Sequence, residues 1–237
     1  HQYGIPSLEG AQIKQRTDKW VIQHLSKNPL PGLASIHLSA ASTEYRHNEL
    51  DTNWLPSTQF QNQGFDARIE VAHESIDSWN GVFGLSYSRG HLSAFDLLNF
   101  NHAAIVPPVK NSNWSLFWIE EKKWSFFTTD FGLRLERTER LPEVNIPYTD
   151  GPLNVNASAS SAIFDAPVLK NKRFDTLSWS SGLVIPLNET HVTAIHYSLA
   201  QRAPAAEELF SYGAHDASAS FDIGRSNMGT ETTHHLE

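Results

Sequence analysis

The sequence predicts an all-β fold, an antiparallel up-and-down sheet of the transmembrane-barrel class. Three observations predict it: stretches where apolar and polar residues alternate, connections that alternate between short and long, and many aromatic residues without any membrane-helix-length apolar run. A period of two sends successive side chains to opposite faces of a strand. A barrel in a bilayer needs that pattern, apolar outside and polar inside, with tight turns at one end and long loops at the other.

The clearest stretch is Phe126 to Glu139, where Phe127, Thr129, Phe131, Leu133 and Leu135 share one parity and Asp130, Arg134 and Glu136 the other. A face with those three charges has water on its side. Phe65, Ala67, Ile69 and Val71 oppose Asp66, Arg68 and Glu70 in the same way. Leu177, Trp179, Leu183 and Ile185 oppose Thr176, Ser178, Ser180 and Gly182, and Ile36, Leu38 and Ala40 oppose His37, Ser39 and Ala41. Ile195, Tyr197 and Leu199 continue the pattern more weakly. Ala11–His24, Gly81–Leu92 and Asn111–Glu121 complete the set, the third blurred by Trp114, Phe117 and Trp118. A last strand enters at Gly229 and runs to Glu237, giving about nine candidates.

Short turns are expected at Asn28–Leu33, Ser75–Asn80, Lys122–Trp124 and Asn188–His191. Long connections are expected at Glu49–Ser57, Ser93–Val109, Arg140–Arg173 and Ala203–Asn227. A soluble sandwich has no reason to sort loop lengths by end. The strands also exceed ten residues in places, against an average of about five or six in soluble proteins. The strand–turn–strand unit recurs about every 45 residues, as in hairpin arrays, and no domain boundary interrupts it. Arg140–Arg173 is rich in Pro, Asn and Ser and reads as a flexible surface loop.

Composition narrows the function classes. A net charge of −8 argues against nucleic acid, whose phosphates ask for a basic partner. Cysteine is absent, which excludes disulfides and thiolate metal sites. The apolar fraction is 40% and the mean hydropathy −0.38. A helix crossing a bilayer needs about 18 or more apolar residues in a row, whereas barrel strands average out as soluble. The 7 Trp, 13 Phe and 6 Tyr suit aromatic girdles, and equally a soluble β-sandwich. No charged-then-apolar leader opens the chain at His1, so no signal peptide is visible. No Ser-His-Asp constellation, Gly-rich phosphate loop or HExxH is present, and no carboxylate pair stands out, so no enzyme is read.

Ala200 to Glu237 resembles a signature of TonB-dependent outer-membrane receptors, R-x-P-x-x-x-E-L followed after a loop by G-x-x-x-L-x-x-E-x-x-x-x-x-E. The matching residues are Arg202, Pro204, Glu208 and Leu209, then Gly224, Asn227, Met228, Glu231 and Glu237, with Met228 where leucine is usual. His1–Pro6, Asn28–Leu33, Tyr45–Glu49, Asp66–His73 and Phe210–His215 resemble, in order, segments of the zinc-uptake branch. The resemblance covers essentially the whole chain. It implies a bacterial outer-membrane transporter energised by the TonB complex, with lipid around it and a metal ion or metal chelate as cargo. No cofactor is required, and zinc is the implied transported ligand. The family barrel has about 22 strands, so residues 1–237 correspond to a middle segment, the plug domain and closing strands being absent. Ser7–Gly10 leads directly into the next strand where the branch has a His- and Asp-rich loop. A siderophore or haem receptor of the same fold is the alternative cargo reading. A soluble or adhesive β-sheet binding domain is the alternative from another class.

Zn²⁺ without cysteine takes imidazole nitrogen and carboxylate oxygen, and the chain holds 12 His against 1 Met. Since Ile36, Leu38 and Ala40 are apolar, the odd residues of that strand face the interior. His47 and Glu49 are odd and lie at the end joined to a long connection, hence near the mouth. His215 follows the E-L motif, and the resemblance places it over the same mouth. The expected metal ligands are Glu49 and His215, with His47 as a further one and the remainder coming from the plug. The competing reading is a solvated rim carboxylate and a solvated loop histidine. His234 and His235 occupy successive strand positions, so one faces each way and a His-His clamp is not expected. His24, His73 and His191 read as structural, and His1 as part of a disordered terminus.

Overall fold

The computed structural model describes residues 2–3, 11–50, 54–97, 102–146, 148, 166–215 and 220–237. His1, the segment 4–10 and the whole of 149–165 lie outside the described residues. The elements are β1 (Gln2–Tyr3), β2 (Ala11–Leu30), β3 (Leu33–Leu50), β4 (Pro56–His73), β5 (Trp79–Asp96), β6 (Val109–Lys123), β7 (Thr128–Pro142), β8 (Lys172–Pro186), β9 (Val192–Arg202), α1 (Ala206–Phe210), β10 (Tyr212–His215), β11 (Ser220–Ile223) and β12 (Glu231–Leu236). Strands β1 to β9 pair antiparallel in chain order and β12 closes onto β9, making one ten-stranded sheet. Strands β10 and β11 form a separate hairpin.

The register turns the period-two pattern into two unlike faces. Leu38, Ile69, Leu85, Leu116, Leu135 and Leu177 stand side by side across six strands. One position along each strand, on the opposite face, Ser39, Arg68, Ser86, Ser115, Glu136 and Thr176 form the matching row. Leu116 is 57% and Leu135 49% exposed. A contiguous apolar face of that kind is not left to water in a soluble monomer. Phe131, Leu133 and Leu135 lie on the apolar face and Asp130, Arg134 and Glu136 on the other, as the alternation requires. Likewise His234 pairs with Leu199 on the apolar face and His235 with Ser198 on the polar one, so they form no clamp. Strands β6, β7 and β8 have 15 residues each, about 50 Å at the usual rise. That exceeds the roughly 30 Å hydrocarbon core of a bilayer.

Because the strands pair in chain order, alternate connections emerge at the same end. Segments 31–32, 74–78, 124–127 and 187–191 form one end, and 51–55, 97–108, 143–171 and 203–230 the other. At the tight end, Asp77 (φ 50°) and Ser78 (φ 65°) sit between the bridged Ile76 and Trp79, a hairpin turn with both central residues left-handed. Asn188 Oδ1 accepts from the amides of Thr190 and His191 at 2.9 and 3.0 Å, a side-chain mimic of a turn.

Two expectations need correction. The connection at Glu49–Ser57 is not long: β3 runs to Leu50 and β4 starts at Pro56, leaving a link no longer than 74–78. Its polar residues look like loop in sequence, but Glu49 pairs with Thr58 in the ladder, and polar side chains suit a strand on its polar face. The turn placed at Lys122–Trp124 lies at 124–127 instead. Trp124 N–H donates to the Phe127 carbonyl at 2.9 Å and its ring stacks on Phe127, so Phe126 and Phe127 close the turn before β7 begins.

The buried core is not inside the sheet but on its polar face, at the loop end. Ala94, Val106, Val109, Ala206, Leu209 and Phe210 form it, with Phe60, Leu92, Leu169 and Phe174 packed against them. The stretches around Val106 and from Ala206 to Phe210 therefore fold inward over the sheet.

Candidate metal-binding mouth

Strand β3 brings His47 and Glu49 onto the polar face at the loop end, as the parity of Ile36, Leu38 and Ala40 requires. Glu49 pairs with Thr58 and His47 with Phe60. Glu49 is only 2% exposed, so it is no solvated rim carboxylate. The His47 imidazole lies nearly parallel on the Phe60 ring, centroids 4.4 Å apart at 12°, with Tyr45 edge-on at 5.4 Å.

The receptor-like signature builds the roof of this mouth. Arg202, at the end of β9, grips Glu208 with two parallel hydrogen bonds of 2.7 and 3.0 Å. The same guanidinium donates to Glu231 at the start of β12 at 2.7 and 3.0 Å. Such fork-shaped charge-assisted pairs are directional as well as strong. Glu208 is the third residue of α1 and its carboxylate accepts from the Ala205 amide at 2.7 Å, covering a donor the helix cannot use. Arg202, then the Ala205 amide, hold the Glu208 carboxyl down to about 2. Arg202 and Glu208 are thus engaged in hydrogen bonds at the loop end. Fixed this way, α1 points Leu209 and Phe210, both fully buried, into the core.

Three connections meet here. The Tyr212 amide donates to the Ile105 carbonyl at 2.7 Å, and the Tyr148 hydroxyl to the Phe210 carbonyl at 2.6 Å. Burial pushes the Tyr148 hydroxyl well above the usual phenol range. Gly213 lies so close to the Ala104 carbonyl that a Cβ there would collide with it. His215 ends β10, its backbone opposite Ser220, and its side chain lies outside the described residues. The loop core thus joins both halves of the expected site: it touches Phe60, which carries His47, and it holds β10, which carries His215. Among the described residues, no three His, Asp or Glu side chains gather closely enough to hold a metal ion.

Several polar pairs escaped the sequence reading. On the polar face toward the tight end, His37 meets Glu70 at 3.0 Å, with Arg68 on the same carboxylate. His196 meets Asp130 at 3.1 Å, the two reaching each other across Gly182, where any Cβ would clash with both. Only the strand register, two strands apart, makes that pair. His73, read as structural, is bonded to Glu120 at 3.1 Å, with the Trp118 indole donating to the same carboxylate at 2.9 Å. Phe60 had a legible signal: it is an apolar residue on the polar parity of its strand. Leu92, Ala94, Val109 and Phe174 break parity in the same way and at the same end.

No family model matches the chain. Among solved structures it is similar to one described as "Copper transporter OprC", at 12% identity and a TM-score of 0.71, over 96% of this chain and 36% of that one. The chain therefore spans little more than a third of that protein's length. What the likeness carries is the fold: an all-β, antiparallel, up-and-down sheet like part of that protein's structure.

Proposed function

We propose that this chain is a stretch of the wall of a TonB-dependent transport barrel in a bacterial outer membrane, importing a metal ion or metal complex. The observation that carries the reading is the pair of opposed rows, aliphatic from Leu38 to Leu177 and polar from Ser39 to Thr176. Such a sheet is at home between lipid and a wet interior. The inward-folded loops at one end then roof the mouth, and the apolar face meets lipid. The remaining strands and a plug that contacts TonB belong to the rest of the barrel. No bond is made or broken in this function, and no resident cofactor is needed.

Glu49 and His215, with His47, are the residues proposed to meet the cargo. The donors are imidazole nitrogen and carboxylate oxygen, with no cysteine and a single methionine in the chain. That set suits Zn²⁺ or Cu²⁺ and offers little to Cu⁺, which prefers sulfur. Zinc is the proposed cargo, supported by the ligand types and the branch-like segments around Tyr45–Glu49 and Phe210–His215. The solved structure of similar fold bears the name of a copper transporter, so copper belongs in the same test. Cells whose only receptor is the full protein should need it for growth on scarce zinc. Glu49→Ala and His215→Ala should each abolish that growth. Normal zinc growth in both variants, with receptor-dependent iron growth on a siderophore or haem, would overturn the zinc assignment.

A further inference from the structure

We infer that Phe60 is a positioning residue for the mouth site, and that the loop core behind it sets the spacing between His47 and the strand that carries His215. The inference rests on the metal-binding reading above and goes further, to residues that touch no metal. Phe60 is an aromatic residue on the polar side of β4, among Thr58, Asn62, Gly64 and Asp66. It serves two neighbours at once. It stacks on His47 at 4.4 Å and 12°, and it packs against the core of Ala94, Val106, Val109, Leu209 and Phe210. An imidazole binds a metal through a lone pair in the plane of its ring. A face-to-face stack fixes the ring's tilt and leaves that plane open.

The attachment of β10 is equally constrained. Strand β10 is bonded to Ile105 through Tyr212, and Gly213 has no room to shift toward Ala104. Tyr148 clips the end of α1 to the same unit through the Phe210 carbonyl. His47, through the Phe60 stack, and β10, through its bond to Ile105, are thus both tied to the same inward-folded loop end. Disturbing that end, or the ring that couples His47 to it, changes metal affinity while every ligand stays in place.

The test is a Zn²⁺ titration by calorimetry of the full barrel protein in detergent, with thermal melting of each metal-free variant. Phe60→Leu removes the stack and keeps an apolar side chain; it should weaken zinc binding about tenfold, as loss of a group that orients a metal ligand does. Phe60→Trp restores a ring and should recover most of that loss. Tyr148→Phe, which only unclips the core, should weaken binding several-fold. If Phe60→Leu binds like wild type while Glu49→Ala does not, the positioning role is overturned and the site stands. If Phe60→Trp fails as badly as Phe60→Leu, Phe60 is packing alone and the inference also falls. If Glu49→Ala and His215→Ala both bind like wild type, the metal-site reading itself is wrong.

Discussion

Glu49 and Glu70 lie on the same face of adjacent strands, yet Glu49 is 2% exposed while Glu70 keeps 27% of its side chain open to solvent. Glu70 sits toward the tight-turn end, where the connections are too short to reach back over the sheet. Its partners are His37 and Arg68, neighbours on the same face. Glu49 sits at the loop end, where α1, segment 102–109 and β10 fold inward. Strand parity chooses the face of a side chain, and connection length chooses whether that face is wet. A carboxylate at the dry end must find its partners within the fold or in a ligand, because an uncompensated buried charge is costly. That is why the binding site is proposed at the loop end and not among the ion pairs of the tight end.

The sharpest way to break this contrast is to empty the loop core. Phe210→Ala removes a fully buried ring and should cost about 3–5 kcal/mol, read by denaturation in detergent. Glu49 should become solvent-accessible at the same time, and His37 and Glu70 should not change. A loss below 1 kcal/mol would mean the loops do not form a core at all. Next in size is Leu133→Arg, on the apolar face between Trp118 and Trp179. It should cost about 2–4 kcal/mol near the bilayer midplane, measured by refolding into vesicles. Tolerance of the arginine would put water, not lipid, on that face.

Smaller effects sharpen the comparison. Tyr148→Phe deletes the hydrogen bond to the Phe210 carbonyl and should cost about 1 kcal/mol, again by denaturation. The Glu208 clamp marks the boundary between dry core and wet rim. Its folded-state carboxyl titrates at about 2, below an ordinary value of 4.5. Its contribution is therefore fully present above pH 4.5 and is lost as the pH falls toward 2. The carboxylate is partly exposed, so Glu208→Gln should lower stability by less than about 1 kcal/mol at neutral pH. It should also flatten the acid side of the stability profile, and an unchanged acid limb would remove Glu208 from the rim clamp.

Much of the fold was legible in alternation. Phe131, Leu133 and Leu135 against Asp130, Arg134 and Glu136 could be placed on their faces from period two alone, because the pleat leaves a strand no other arrangement. The inward aim of His47 and Glu49 followed from the same rule. Connection lengths were less legible. The polar run from Glu49 to Ser57 read as a loop, since a polar strand face and a loop share a composition. The tie from Arg202 to Glu208 and Glu231 was foreshadowed by the spacing of the motif, though its geometry was not. Pairs such as Asp130 with His196 had no local trace, because their meeting depends on register across β8.

By itself, then, the sequence determined which residues face together and that the strands run up and down, through steric periodicity that acts over a few neighbours. The tertiary structure alone decided what is buried. Phe60, Leu92, Ala94, Val109 and Phe174 stand on the polar parity, and whether they are exposed or dry depends on connections that return from far along the chain. Burial is a property of what covers a residue, and α1, segment 102–109 and Tyr148 reach this face only once β5 to β9 have put their ends side by side. Strand parity alone made Glu49 a candidate ligand, but only the folded chain shows that it is 2% exposed.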